Sequence, residues 1–176
     1  MVAALLPKYE VVHFACHAST HTADTRRSGF ILARDEVLTI DELLRCRLMR
    51  TRLAVLSACE TAVQGQELPD EVISLATVFL QTGVDAVIAS LWAVLDASTM
   101  LLMTRFYQMW RRDGLSPGEA LRQAQLWMLN VSDQKKGRAV RALIPKSIYQ
   151  QLVRTPSGIN HFAHPDHWAA FTYVGF

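Results

Sequence analysis

At 176 residues, 51% of them hydrophobic and with a formal charge of only +2 at pH 7, the chain is long and apolar enough for one globular domain and too apolar for disorder. Its basic residues are scattered, at Arg26-Arg27, Arg111-Arg112, Lys135-Lys136, Arg138 and Arg141, without an aromatic-interleaved patch, which argues against nucleic acid as a direct partner. Residues 1–8 lack the basic and apolar regions of a signal peptide, and no run is apolar and long enough to cross a membrane, so a cytoplasmic address with no membrane partner is expected.

Residues 9–18 read as a buried strand, because Val-Val-His-Phe-Ala-Cys (residues 11–16) is an apolar run that stops at His17. Residues 29–38 read as a short hairpin or loop excursion in which Phe30, Ile31 and Leu32 pack and Arg34-Asp35-Glu36 turn. Thr39 and Glu42 then have capping-box spacing ahead of a helix with Leu43, Leu44 and Cys46 on its apolar face. Residues 53–58 form a second buried strand. Residues 64–69 are polar, and the spacing of Val72, Ile73, Leu75, Ala76, Phe79 and Leu80 predicts a helix over 70–82 that Gly83 ends. Residues 84–92 read as a third strand, and 96–112 as a helix closed by Gly114. A second capping box, Ser116 with Glu119, carries Pro117 at the first helical position and opens a helix to about residue 129. Residues 130–165 look like an irregular insertion, broken by Gly137, Pro145, Pro156, Gly158 and Pro165, with room for a short amphipathic piece over 140–153. An aromatic-rich strand over 168–174 ends the chain.

Strands alternating with helices predict a single α/β domain with a mainly parallel sheet and helices on both faces. Ligands bind beyond the carboxyl ends of such strands, a rule that gathers His17, Cys59 and Trp92 on one rim. Cysteine attacks as thiolate, and its ordinary pKa of about 8.5 leaves little of it ionised at neutral pH, so a catalytic Cys59 needs a neighbouring base. His17 is the available one. Equally, a cysteine after a buried strand behaves as a small hydrophobe in many proteins. The three cysteines, Cys16, Cys46 and Cys59, have neither the number nor the spacing of a disulfide framework or zinc ribbon.

His-Phe-Ala-Cys-His-Ala, Val-Leu-Ser-Ala-Cys-Glu-Thr-Ala, Ile-Ala-Ser-Leu-Trp-Ala-Val-Leu-Asp, Ser-Pro-Gly-Glu-Ala-Leu-Arg-Gln-Ala-Gln and Trp-Ala-Ala-Phe-Thr-Tyr-Val-Gly occur in that order, and with them the chain resembles the CHAT domain, a caspase-like cysteine peptidase module related to separase. The resemblance covers residues 9–129 and 162–176. It implies a caspase-like three-layer sandwich, His17 as general base, Cys59 as nucleophile, and backbone amides of Ala18 and Cys59 as oxyanion donors. The histidine precedes the cysteine by 42 residues, near the roughly 50 of caspases. The family commonly has glycine where this chain has Ala18; a backbone donor survives, but a positive φ there would strain alanine. The family domain also includes earlier strands beside the one carrying His17, so the chain reads as its C-terminal portion, with an unpaired edge open to self-association. Tetratricopeptide repeats often precede CHAT domains and are an expected upstream companion.

In separases an acid placed like Asp96 lines the pocket for the basic residue before the cut, and a carboxylate there would pair bidentately with arginine. Asp96 also stands where a helix starts, and capping explains it without a substrate. Glu60 and Asp70 are weaker candidates near the rim. His13 and His17 lie about 13 Å apart on a strand, and Pro165 interrupts the series His161, His164 and His167, so no metal is expected. No cofactor is expected either. The function read from these residues is a cysteine endopeptidase cutting protein loops after a basic residue; its rival is a non-catalytic interaction module.

Overall fold

The computed structural model describes residues 2–19, 21, 23–57 and 75–175, and it has the mixed α/β architecture that the sequence predicts. Two compact units make it up, Met1–Ala93 with Phe171–Phe176, and Val94–Ala170.

The first unit is built on a four-stranded sheet in the order β1 (Val11–Phe14), β5 (Leu53–Leu56), β6 (Ala86–Ser90), β7 (Phe171–Gly175). The first three are parallel and β7 runs antiparallel to β6, so the sheet is mainly parallel and compatible with the expected sandwich. Leu-Ala-Val-Leu in β5 and Ala-Val-Ile-Ala-Ser in β6 are buried at every position, as continuous apolar strands in the middle of a parallel sheet must be. β1 buries only Val12 and Phe14 and exposes His13. Among the described residues it pairs on one side only, with β5.

The predicted strand over 9–18 is in fact two. The chain leaves the sheet after Phe14 and starts β2 (Ala18–Ser19), which joins β3 (Gly29–Ile31) and β4 (Val37–Thr39) in an antiparallel three-stranded sheet. Arg34 and Asp35, both at positive φ, turn the β3–β4 hairpin where the sequence places its turn. Thr39 and Glu42 form the complete capping box at the start of α1 (Ile40–Leu44): the Thr39 Oγ1 accepts from the Glu42 amide at 3.2 Å, and Glu42 accepts from the Thr39 amide at 2.9 Å.

One face of the large sheet, with Val12, Phe14, Ala54, Leu56, Val87 and Ala89, shares a core with Phe30, Leu38, Leu43 and the α2 (Leu75–Gln81) residues Leu75, Val78 and Phe79. Phe14 stacks on Phe30 at 4.3 Å between centroids and Phe79 closes the trio at 5.6 and 6.1 Å, each pair adding about 0.5–1.5 kcal/mol beyond burial. This trio couples the small sheet, and with it the segment carrying His17, to the strands below. Gly83 ends α2 at φ +96°, a conformation an L side chain rarely adopts.

The second unit is helical: α3 (Asp96–Tyr107), continued by a π turn over Gln108–Arg112, then α4 (Pro117–Asn130), α5 (Asp133–Val140) and α6 (Lys146–Arg154). Pro117 opens α4 with Ser116 as its cap at 3.4 Å, but the Glu119 carboxylate turns to Arg122 at 2.9 Å and Gln123 at 2.8 Å, so only half of the expected box forms. Residues 130–165, expected to be irregular, hold two helices. Gly137 does not break α5: it sits inside the helix where an added Cβ would lie 3.0 Å from the Leu152 Cβ, so it permits α5 and α6 to approach closely.

Around that contact lies a buried polar cluster. Lys136 and Asp133, both shut off from solvent, pair at 3.6 Å, and the lysine also donates to the Asn160 side-chain oxygen. Asp133 Oδ2 accepts from the His161 amide at 3.1 Å and from its Nδ1 at 2.8 Å. The Asn160 amide donates to the carbonyls of Met128 and Leu129, capping the end of α4. Burial pulls the Lys136 pKa down to about 8, against the opposing pull of Asp133.

Candidate active site

Parallel strands carry their chains out of the sheet at one edge, and β1, β5 and β6 therefore deliver residues 15–17, Ser57 and Leu91-Trp92 to a single rim. Phe14 is paired with Leu56, the last residues of their strands, and a final rung follows in which the Ser57 amide donates to the Phe14 carbonyl at 3.0 Å. His17 stands three residues beyond Phe14. Cys59 stands three beyond Leu56, and it lies, with Glu60 and Asp70, outside the described residues.

His17 is exposed, and its backbone is fixed from the other side: its carbonyl accepts from the Ile31 amide at 2.8 Å. Hydrogen-bonded and non-bonded pairs alternate along an antiparallel ladder. Since His17 bonds to Ile31, the next pair, Ala18 with Phe30, is a non-bonded one, and Phe30 turns its own polar groups towards Leu38 instead. The Ala18 N–H is thereby directed away from β3. Ala18 is in a strand and is not among the residues at positive φ, so the strain that alanine would suffer there does not arise.

At the end of the β1/β5 ladder the His13 Nε2 and the Ser57 Oγ lie 2.6 Å apart, and the Ser57 hydroxyl is also 3.5 Å from the Phe14 carbonyl. His13 as a residue remains exposed, yet desolvation of its ring by surrounding protein pushes its pKa below the ordinary value, favouring the neutral imidazole. Sequence reasoning treats His13 only as half of a false metal pair and passes over Ser57. The signal was the register, which sets His13 beside Val55 and so diagonal to Ser57 on the same face.

The other two cysteines are half-buried rather than fully buried. Burial raises the pKa of both Cys16 and Cys46, with Glu42 adding to the effect at Cys46, whose thiol donates to the Glu42 carbonyl at 3.4 Å. Both are disfavoured as thiolates.

Asp96 does not cap α3. The cap position is Leu95, no side chain caps the helix, and Asp96 is the exposed first helical residue, in the second unit. An acid there still faces the positive end of the helix. The three histidines of 161–167 are engaged separately, His161 with Asp133, His164 with Asp166 at 3.2 Å and His167 with the buried Ser98 at 2.7 Å. Among the described residues no three metal-ligating side chains gather, and no helix is long and apolar enough to cross a membrane. Leu91 and Trp92, immediately after β6, are exposed.

The family model of the CHAT domain matches residues 1–176. No curated protein matches the chain.

Proposed function

Because the chain belongs to the CHAT domain family, whose character is that of caspase-like peptidases, we propose that it is a cysteine endopeptidase with His17 and Cys59 as its dyad. The Cys59 thiolate attacks the scissile carbonyl carbon, forming a tetrahedral oxyanion held by the amides of Ala18 and Cys59. Collapse breaks the C–N bond while His17 gives its proton to the leaving amine; water, deprotonated by His17, then hydrolyses the thioester. Asp96 would pair with an Arg or Lys preceding the cut.

The observation that supports this reading is the register of β1 on β5. It ends both strands side by side, Phe14 against Leu56, with the Ser57 amide donating to the Phe14 carbonyl. The Ala18 N–H, directed away from β3, is available as the second donor that this reading asks for.

Iodoacetamide labelling at pH 6.5, read at each cysteine by peptide mass spectrometry, tests it. Cys59 should be alkylated well ahead of Cys16 and Cys46, and His17→Ala should slow it on the order of 100-fold. Labelling of Cys59 no faster than that of Cys46, and indifferent to His17, would leave the second reading, an interaction module. That reading rests on β1, whose outer edge is open among the described residues and would template pairing with a partner or another copy.

A further inference from the structure

The Ser57–His13 contact joins two strands at the last point where they are still a sheet. Ser57 does this twice, through its amide to the Phe14 carbonyl at 3.0 Å and through its hydroxyl to the His13 ring at 2.6 Å. His13 is on an edge strand whose other side has no strand among the described residues, so the ladder itself holds β1 from one side only. Such an edge frays more readily than a central strand. A side-chain bond at its end resists that fraying where the chain leaves β1 towards His17.

His13 occupies an exposed site in a strand otherwise built from Val and Phe, and a β-branched or aromatic residue would serve the strand better. Ser57 follows four buried apolar residues in β5. A 2.6 Å contact between a hydroxyl and an imidazole ring nitrogen fixes the ring and the hydroxyl in one geometry.

We propose that His13 and Ser57 form a positioning clamp: by tying the carboxyl ends of β1 and β5 together they set the separation of His17 and Cys59, and so the fraction of Cys59 held as thiolate by the imidazolium. The proposal rests on the dyad reading given above. Neither residue touches the substrate; each acts through the chain that follows it. Misplacement of about 1 Å is enough to cost on the order of 100-fold in a proton-coupled step.

The test is the pH dependence of Cys59 alkylation by iodoacetamide in the full chain, with Ser57→Ala, His13→Ala, the double variant, and His13→Gln, whose amide nitrogen replaces Nε2. In the unaltered protein Cys59 should react at a pH well below that of an ordinary thiol. Ser57→Ala and His13→Ala should each lower the rate at pH 6.5 about 10- to 100-fold and move the profile towards that of a free cysteine. The double variant should be no slower than either single one, because both remove the same bond. His13→Gln should recover most of the rate. His13 is exposed, so its variants keep the fold even if Ser57→Ala does not, and a circular dichroism melt confirms it. An ordinary Cys59 profile in the unaltered protein would overturn the dyad and the clamp together. A reactive Cys59 whose profile is unmoved by His13→Ala, or additive losses in the double variant, would overturn the clamp alone.

Discussion

The two compact units treat their polar side chains in opposite ways. In the sheet unit, His13 and His17 stand exposed at the end of an apolar strand, and Cys16 is half-buried between them. In the helical unit, Lys136 and Asp133 are taken inside as an ion pair, where Asn160 accepts from the lysine and His161 donates to Asp133 Oδ2, with the rings of Phe162 and Trp127 at 5.6 and 6.0 Å from the ammonium. Groups kept at the surface stay within reach of an incoming molecule. Groups taken inside do not, and their value is structural: here they lock α5 to the end of α4.

The sharpest way to break that contrast is at Lys136. Lys136→Met keeps most of the volume but leaves Asp133 charged and buried without its cation, and should cost about 3–5 kcal/mol in chemical denaturation. His13→Ala, which removes one side-chain hydrogen bond at the end of β1, should cost only about 0.5–1.5 kcal/mol. Equal losses at the two positions would erase the distinction.

Asp96 offers the next largest effect. As an exposed residue of the first helical turn it contributes at most about 1 kcal/mol to stability. If it pairs with the basic residue before the cut, Asp96→Ala should lower kcat/KM for peptides cleaved after Arg about 10- to 100-fold, the size expected for a charged hydrogen bond, and leave the melting temperature nearly unchanged. A drop in melting temperature with unaltered peptide kinetics would assign it to the helix alone.

The most gradual effect, smallest per step, is the pH dependence of the buried pair. Lys136 is depressed from its ordinary 10.5 to about 8. Between those values the unfolded chain holds a proton that the folded one has released, so stability should rise with pH across that window, by at most about 1.4 kcal/mol per unit. Below about pH 8 the gain is absent. The neutral amine still fills its site and still has a proton to donate to Asn160. The slope, measured by urea denaturation between pH 8 and 10, should vanish in Lys136→Met.

The sequence carried the central strands and the caps well because their causes are local. β5 and β6 are uninterrupted apolar runs, and the side chains of Thr39 and Ser116 each accept from a backbone amide three residues away. The break between β1 and β2 was not legible, since Phe14-Ala15-Cys16 looks like more strand and the departure is dictated by pairing with β3, contributed from residues 29–31. Gly137 was misread, and the burial of Lys136 not legible, for a related reason. A lysine and a glycine in a polar stretch signal surface and turn, and only the approach of α6 makes one a buried cation and the other a contact point. At the candidate site, His17, Ala18 and Cys59 came from motif and resemblance. The Ser57–His13 bond did not, because it depends on which residues the parallel register sets diagonally across two strands.

In the mechanism proposed here, the alternation along β2 and β3 has a consequence for how far this site tolerates divergence. The Ala18 donor is aimed by the parity of a ladder rather than by any side chain, so exchanging the residue at position 18 alters what crowds the oxyanion but not where the dipole points. Only proline, which has no N–H, removes it. A chain that departs from glycine at this position therefore keeps its oxyanion donor as long as β2 remains zipped to β3. The quantity to protect is the two-residue pairing of Ala18-Ser19 with Gly29-Phe30, a stretch of sheet so short that the glycine in it, pressed against the Leu38 carbonyl, has no room for any larger residue.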